Sequence, residues 1–157
     1  MHKFALIAGL ALVLLCRVAV AGPQDSSPVA AVLEGPQKPH PRLFLDESGA
    51  AALKLRIADS QFLRGVMAYV EASADAIEDA EPVARKKIGR RLLGVSRTCL
   101  KRVVYLAFTY RITGKPQYLE RAEREMLAAA AFADWNPSHF LDVAEMTAAL
   151  AIGYDWL

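Results

Sequence analysis

Trp135-Asn136-Pro137-Ser138-His139-Phe140 is the stretch of this chain best equipped to hold a sugar. The indole of Trp135 offers a flat apolar face for a pyranose ring, and Asn136 and His139 supply hydrogen-bonding groups beside it. The same residues also have structural roles open to them. Asn136 could cap a helix, Trp135 could pack on a neighbouring hairpin, and His139 could bond a backbone carbonyl. Glu145 follows on one helical face with Leu141, Ala148 and Ile152, which aims its carboxylate into protein. A buried carboxylate needs a partner. His139, Trp135 or an arginine of the third helix are the candidates, and a substrate-facing role is the other reading. Trp135, Asn136, His139 and Glu145 are therefore the candidate substrate-binding residues.

A second concentration of chemistry runs from Arg85 to Arg102. It contains Arg85, Lys86, Lys87, Arg90, Arg91, Arg97, Lys101 and Arg102, with no acidic residue among them. Such a local field attracts polyanions, most strongly at low salt. Arginine suits carboxylate and sulfate because its planar fork binds them bidentately. The alternative is a solvated stretch that pairs with the acidic run Glu71 to Glu81. Metal chemistry has no ligand spacing behind it, since the three histidines are His2, His40 and His139. No Ser-His-Asp set, phosphate loop or dinucleotide fingerprint is present, so no cofactor is implied.

The elements that must position these residues read as helices throughout. Asp46 or Ser48 offers an N-cap for a first helix to about Ala58, with Leu53 and Ile57 on one face and Leu55 off it. Ser60 caps a second, running to about Asp79, whose stripe is Phe62, Val66, Tyr69 and Val70. Its acidic end (Glu71, Asp75, Glu78, Asp79) opposes the helix dipole and is expected to fray. A third helix spans about Ser96 to Thr113, closed by Gly114. A fourth runs from Pro116 to about Phe132 with Tyr118, Ala122, Met126 and Ala129 buried and a wet-side Glu120–Arg124 pair. A fifth starts with Asn136 as N-cap and Pro137 in its first turn. No segment alternates like a strand, so the expected fold class is all-α. The short His40-Pro41-Arg42-Leu43-Phe44-Leu45 segment ahead of the first helix reads as extended.

From His40 onward the chain resembles the N-terminal part of the heparinase II/III-like and oligo-alginate lyase group. The likeness is carried by His40-Pro41-Arg42-Leu43-Phe44-Leu45, Arg91-Leu92-Leu93-Gly94-Val95-Ser96-Arg97 and Tyr105-Leu106-Ala107-Phe108-Thr109-Tyr110-Arg111-Ile112-Thr113-Gly114. It continues in Asp134-Trp135-Asn136-Pro137-Ser138-His139-Phe140-Leu141-Asp142-Val143-Ala144-Glu145 and Ala151-Ile152-Gly153-Tyr154-Asp155-Trp156. The resemblance implies an incomplete α/α toroid of stacked antiparallel helical hairpins, followed in the family by a β-sandwich domain. It also implies cleavage of acidic polysaccharide by β-elimination at a uronic acid. The family's eliminating residues lie further along its chains: an Asn or His that neutralises the uronate, and a Tyr or His as base and acid. No motif of that kind is matched here, so no catalytic residue carries over. Loops at the end of the toroid corresponding to Trp135–Phe140 lie near the substrate cleft in the family, which is what makes those positions subsite candidates.

Residues 1–21 read as a secretory signal peptide: Lys3, an apolar run from Phe4 to Leu15, and Ala19-Val20-Ala21 before Gly22. The apolar run falls short of the roughly 20 residues that a membrane span needs. Cys16, between Leu15 and Arg17, lacks the small neighbours of a lipoprotein site. The expected product is exported, to a bacterial periplasm, with no stable membrane anchor after cleavage. Removing the leader takes Lys3 and Arg17 from the 19 basic residues, which leaves them equal in number to the 17 acidic ones. That neutrality argues against nucleic acid as a partner. It also leaves Cys99 alone, a thiol expected to be buried and inert. Residues 22–39, rich in Pro, Ser, Gln and Ala, read as a linker ahead of a helical portion over 40–157.

Trp156 and Leu157 close the sequence inside the fifth helix, two large apolar side chains each worth about 1.5–3 kcal/mol if buried. They are expected to lack cover, so the chain reads as the N-terminal fragment of a lyase that is inactive alone. A rival reading is a non-catalytic, tetratricopeptide-like adaptor. Leu106-Ala107-Phe108-Thr109-Tyr110 with Gly114 and Tyr118 loosely fits such a hairpin, though no second copy recurs at a period near 34 residues.

Overall fold

The computed structural model describes residues 38–157; the signal peptide expected at 1–21 and all but the last two residues of the linker expected at 22–39 lie outside the described residues. Five helices follow one another: α1 (Glu47–Asp59), α2 (Gln61–Glu78), α3 (Leu93–Thr113), α4 (Pro116–Ala130) and α5 (Phe140–Trp156). The fold is all-α. Among the described residues the sole strand-like feature is an isolated bridge between Ile88 and Arg91.

Local chemistry sets most helix ends. Asp46 caps α1, its Oδ1 accepting from Gly49 N and from Ser48 Oγ, each at 2.8 Å. Ser60 serves two helices at once. Its N–H donates to Arg56 O at the end of α1, and its Oγ accepts from Leu63 N at the start of α2. Gly114 closes α3 at φ 70°, a left-handed conformation that glycine adopts without a Cβ penalty.

The buried face of α2 differs from the expected one. Leu63 and Val70 are half-buried and Met67, Ala74 and Ile77 are buried, while Phe62, Val66 and Tyr69 stand exposed. Two apolar stripes lie almost side by side on this helix. The Phe62 stripe meets Ser73 one turn after Tyr69, whereas the Leu63 stripe runs on through Ala74 and Ile77, so the longer stripe takes the core. Its acidic end is helical to Glu78, one residue short of the expected end. The Arg121 side chain donates to Ile77 O at 3.1 Å and Ala80 O at 2.8 Å, supplying cationic donors to the carbonyls at the end of α2.

Helix α3 begins at Leu93, three residues before the expected start, and α4 ends at Ala130. The stripe of α4 holds Tyr118, Ala122 and Ala129 as expected, with Met126 half-buried. Two charged residues, Arg121 and Glu125, share that buried side. Glu120 and Arg124 are exposed, and the i,i+4 ion pair of this helix is the buried one, Arg121 to Glu125.

Contacts between helices fix their directions. Glu71 meets Lys115, Tyr118 donates to Asp75, and Arg121 reaches Ile77, so α2 and α4 run parallel. Asp142 binds Leu92 N and Glu145 pairs with Arg97, so α3 and α5 run parallel as well. The two-residue turn Gly114–Lys115 makes α3 and α4 antiparallel. Sequential helices from α2 onward thus alternate direction, with α2 and α4 in one layer and α3 and α5 in the other. One apolar cluster joins Ala74, Ile77, Leu106, Tyr118 and Ala122; another joins Cys99, Val103, Ala129, Met146 and Ala149.

The final turn is covered, contrary to expectation. Trp156 is 8% exposed, packs against Phe108 and donates Nε1–H to Leu43 O at 2.7 Å. Leu157 is half-buried against the first cluster. The cover comes from the strap ahead of α1. Asp155 Oδ2 accepts from Arg42 N and Leu43 N, both at 2.7 Å, and Asp155 Oδ1 lies 2.6 Å from His40 Nδ1. Arg42 Nη2, which can only donate, lies 2.6 Å from His40 Nε2. That fixes the tautomer: Nε2 accepts, and Nδ1 carries the proton given to Asp155.

Candidate functional site

The starts of α3 and α5 lie together, and the candidate sugar-binding loop and the basic run meet there. The chain turns at Ile88–Arg91, with Ile88 N donating to Arg91 O at 2.9 Å and Arg91 N to Ile88 O at 3.1 Å. Gly89 takes φ 57° in this turn.

Asn136 is the tie between turn and helix. Its backbone sits at φ 61°, a region asparagine tolerates better than most residues. Its Nδ2 donates to Arg90 O at 2.9 Å and to Asp142 Oδ2 at 2.6 Å. It is not the N-cap of α5, which starts four residues later at Phe140 behind His139. The left-handed backbone at Asn136 and the turn at Pro137–Ser138 hold off helix formation until the chain has passed the Ile88–Arg91 turn.

Asp142 organises the rest. Fully buried in the first turn of α5, its Oδ2 accepts from Leu92 N at 2.7 Å and so caps α3 from a neighbouring helix. Its Oδ1 lies 3.5 Å from Arg91 Nε. Burial pushes the carboxyl's pKa upward, but the bonds from Asn136 and Leu92 and the Arg91 charge outweigh it, leaving it below the ordinary 3.8.

The four sequence-predicted residues fall into distinct places. Trp135 turns inward; its Nε1 donates to Ala129 O at 2.9 Å and its ring packs on the Cys99 cluster. Asn136 is 3% exposed within the network just described. His139 Nδ1 lies 2.7 Å from Ser138 O, and the ring lines a shallow depression with Arg91, Phe140 and Leu141. Glu145 pairs with Arg97 of α3, Nε to Oε1 at 3.1 Å, while its Oε2 is buried with no hydrogen-bond partner. An α3 arginine was among the partners expected for it. The structure therefore brings Asn136 and His139 to one turn, directs Trp135 into the core, and occupies Glu145 one helical turn beyond Asp142.

Arg91 and Asp142 were not among the predicted site residues. A helix starting at Asn136 would carry Asp142 past its first turn, whereas the start at Phe140 puts Asp142 within it.

The basic run does not pair with Glu71–Glu81. Its carboxylate partners are Asp134 for Arg85, Asp142 for Arg91, Glu145 for Arg97 and Glu125 for Arg102. From the acidic run Arg102 takes only a backbone carbonyl, that of Glu81, at 2.8 Å. Glu71 and Asp75 engage Lys115 and Tyr118 instead. The pairing follows topology, because the parallel α3 and α5 bring their N-terminal turns together.

Among the described residues no cluster of His, Cys, Asp and Glu has the makings of a metal site, and no helix is long and apolar enough to cross a membrane. Cys99 is buried, and burial, with the charge of Glu125 acting in the same direction and Arg102 opposing, pushes its thiol up to about 12. No protein-family model and no curated protein matches this chain. What the site offers chemically is cationic and imidazole hydrogen-bond donors beside an exposed aromatic ring, a set suited to binding an acidic ligand.

Proposed function

We propose that this chain is the N-terminal, scaffold-forming part of an exported polysaccharide lyase of the heparinase II/III-like kind, acting on uronic-acid-containing polysaccharide. One observation carries the reading furthest: α2 and α4 run parallel in one layer, α3 and α5 run parallel in the other, and sequential helices alternate direction. An α/α toroid is assembled from this arrangement. The sequence blocks that resemble the family also make its structural joints. The His40–Leu45 block is pinned by Asp155, and the Trp135–Glu145 block ties the starts of α3 and α5 together.

In the complete enzyme a uronate carboxylate is neutralised, the C5 proton is abstracted, and the O4-linked sugar is expelled with protonation. That is general acid–base catalysis with electrostatic stabilisation of the developing anion. Residues 40–157 supply a wall of the cleft and no eliminating residue. Two experiments test this. The purified chain is incubated with alginate, heparin and chondroitin sulfate while the ultraviolet absorbance of unsaturated uronate is followed; steady product formation refutes the scaffold role. The coding DNA is also read beyond the Leu157 codon. A frame that continues into helical segments bearing Tyr and His supports the reading, and an immediate stop codon rejects it.

The adaptor alternative would stack hairpins in similar layers. It predicts retention of a protein or peptide partner, with no preference for acidic oligosaccharide.

A further inference from the structure

We infer that α2 pairs with α2 of a second copy of this chain, antiparallel about a two-fold axis beside Tyr69, through the apolar face that a single copy leaves exposed. The inference stands whether or not the lyase reading holds.

The face is the stripe that the core of α2 does not use. Phe62 is 76% exposed and Tyr69 68%, with Val66 exposed between them. Val66 also lines an apolar groove of about 120 Å³ between α1 and α2, together with Leu53, Ile57 and Val70. Beside this edge Gly65, Ala68 and Ala72 are exposed and carry little bulk, which lets the axis of another helix come close. No charged residue interrupts α2 between Arg64 and Glu71.

Charge selects the occupant. At one end of the face stand Arg56, in the last turn of α1, and Arg64, near the start of α2, with Asp59 as the acidic residue between them. At the other end stand Asp75 and Asp79. Arg56, Arg64, Asp75 and Asp79 are all exposed, and none has an ion-pair partner among the described residues. A uniformly acidic or basic partner would match one end and repel the other. A reversed copy of the same helix matches both.

The register follows from helical geometry. Arg64 and Asp75 stand about three turns apart and so share one edge of α2. A two-fold axis midway between them, beside Tyr69, sets each copy's Arg64 against the partner's Asp75. Both groups are already held in place. Arg64 Nη1 donates to Ala58 O at 2.6 Å, and Asp75 Oδ1 accepts from Tyr118 Oη at 2.6 Å. Reversal also lays the acidic end of each α2, which has no basic residue in its last turn, beside the positive start of the other. One helix face per copy supplies fewer residues than the roughly 20–30 a side of a standard interface, so the dimer is weak and reversible.

The test is sedimentation velocity of the purified chain over a concentration series. The expected result is a monomer–dimer equilibrium with a dissociation constant of roughly micromolar order, closing at two copies. Gly65→Gln is the sharpest variant. A Cβ at this position meets nothing within 4 Å in a single copy, and glutamine is the better helix former. The thermal midpoint should therefore hold or rise while dimerisation weakens about tenfold. Arg64→Glu and Asp75→Arg should each weaken the dimer several-fold, and the two together should restore it. Circular dichroism melts show that each variant folds. A chain that stays monomeric at every concentration overturns the inference and leaves the face to an occupant of another kind. Growth past two copies, association indifferent to Gly65→Gln, or a charge exchange that fails to restore the dimer overturns it as well.

Discussion

Arg121 Nη1 lies 2.7 Å from Glu125 Oε2, and neither side chain has any exposure to solvent. The pair sits where α2, α3 and α4 meet. Arg121 spends its other nitrogens on Ile77 O and Ala80 O, and Glu125 takes Arg102 of α3 at 3.2 Å. Removing one partner strands a charge in the interior. Arg121→Ala or Glu125→Ala should cost about 3–5 kcal/mol, read as a lowered midpoint in urea unfolding. The joint substitution Arg121→Met with Glu125→Leu should recover much of that loss.

Acid should loosen the junction of α3 and α5 through Asp142. Its native carboxyl titrates below the ordinary 3.8. A depressed native value means that the stabilisation is complete above the unfolded-state value and is lost as pH falls through the native one. Wild-type stability should therefore drop as pH is lowered beneath about 4. Asp142→Asn should be less stable at neutral pH and show a shallower acid slope, measured by thermal melts across that range. Equal slopes would remove Asp142 from the account.

Gly153 on α5 is needed for close helix packing. A Cβ there would come within 2.5 Å of Met126 Sδ and 2.8 Å of Val103 Cγ1. The methionine tip can move; the branched valine on α3 cannot move without shifting its helix. Gly153→Ala should therefore destabilise by about 1–3 kcal/mol despite alanine's better helix propensity. The second substitution Val103→Ala should lessen the penalty in a double-mutant cycle.

Cys99 should resist thiol reagents in the folded protein. With its thiol pushed from 9.0 to about 12, the thiolate fraction at neutral pH falls roughly a thousandfold. Labelling should proceed at the rate of opening rather than in proportion to reagent, and should become fast in denaturant. Rapid labelling of the native protein at neutral pH would contradict the burial.

The helices were legible because their ends are written locally. Asp46, Ser60, Gly114 and Pro116 each act on their own backbone, and each sits where its chemistry places it. The inert Cys99 was legible for the same reason, from an apolar neighbourhood in one helix. Choices between elements were harder to read. The two stripes of α2 differ by a single residue of rotation, and only the full length through Ala74 and Ile77 separates them. The burial of Arg121 depends on the carbonyls at the end of α2, which lie more than 40 residues earlier in the chain. Asp142 caps a helix to which it does not belong, across 50 residues of sequence. Asn136 ahead of Pro137 has the local signature of a cap, and the structure gives it another role, tying Arg90 O to Asp142. Its left-handed backbone, which a tightly tied turn demands, leaves no trace in the spacing of neighbouring apolar residues.

The clasp at Asp155 sets a practical boundary on how far the chain can be trimmed. A shortened form starting beyond Leu43 would strip that carboxylate of three donors in one step and expose the indole of Trp156 to solvent. Proteolytic nicking or cloning choices at the front would then be felt at the far end of the sequence, as stickiness and loss of yield, with every helix still intact.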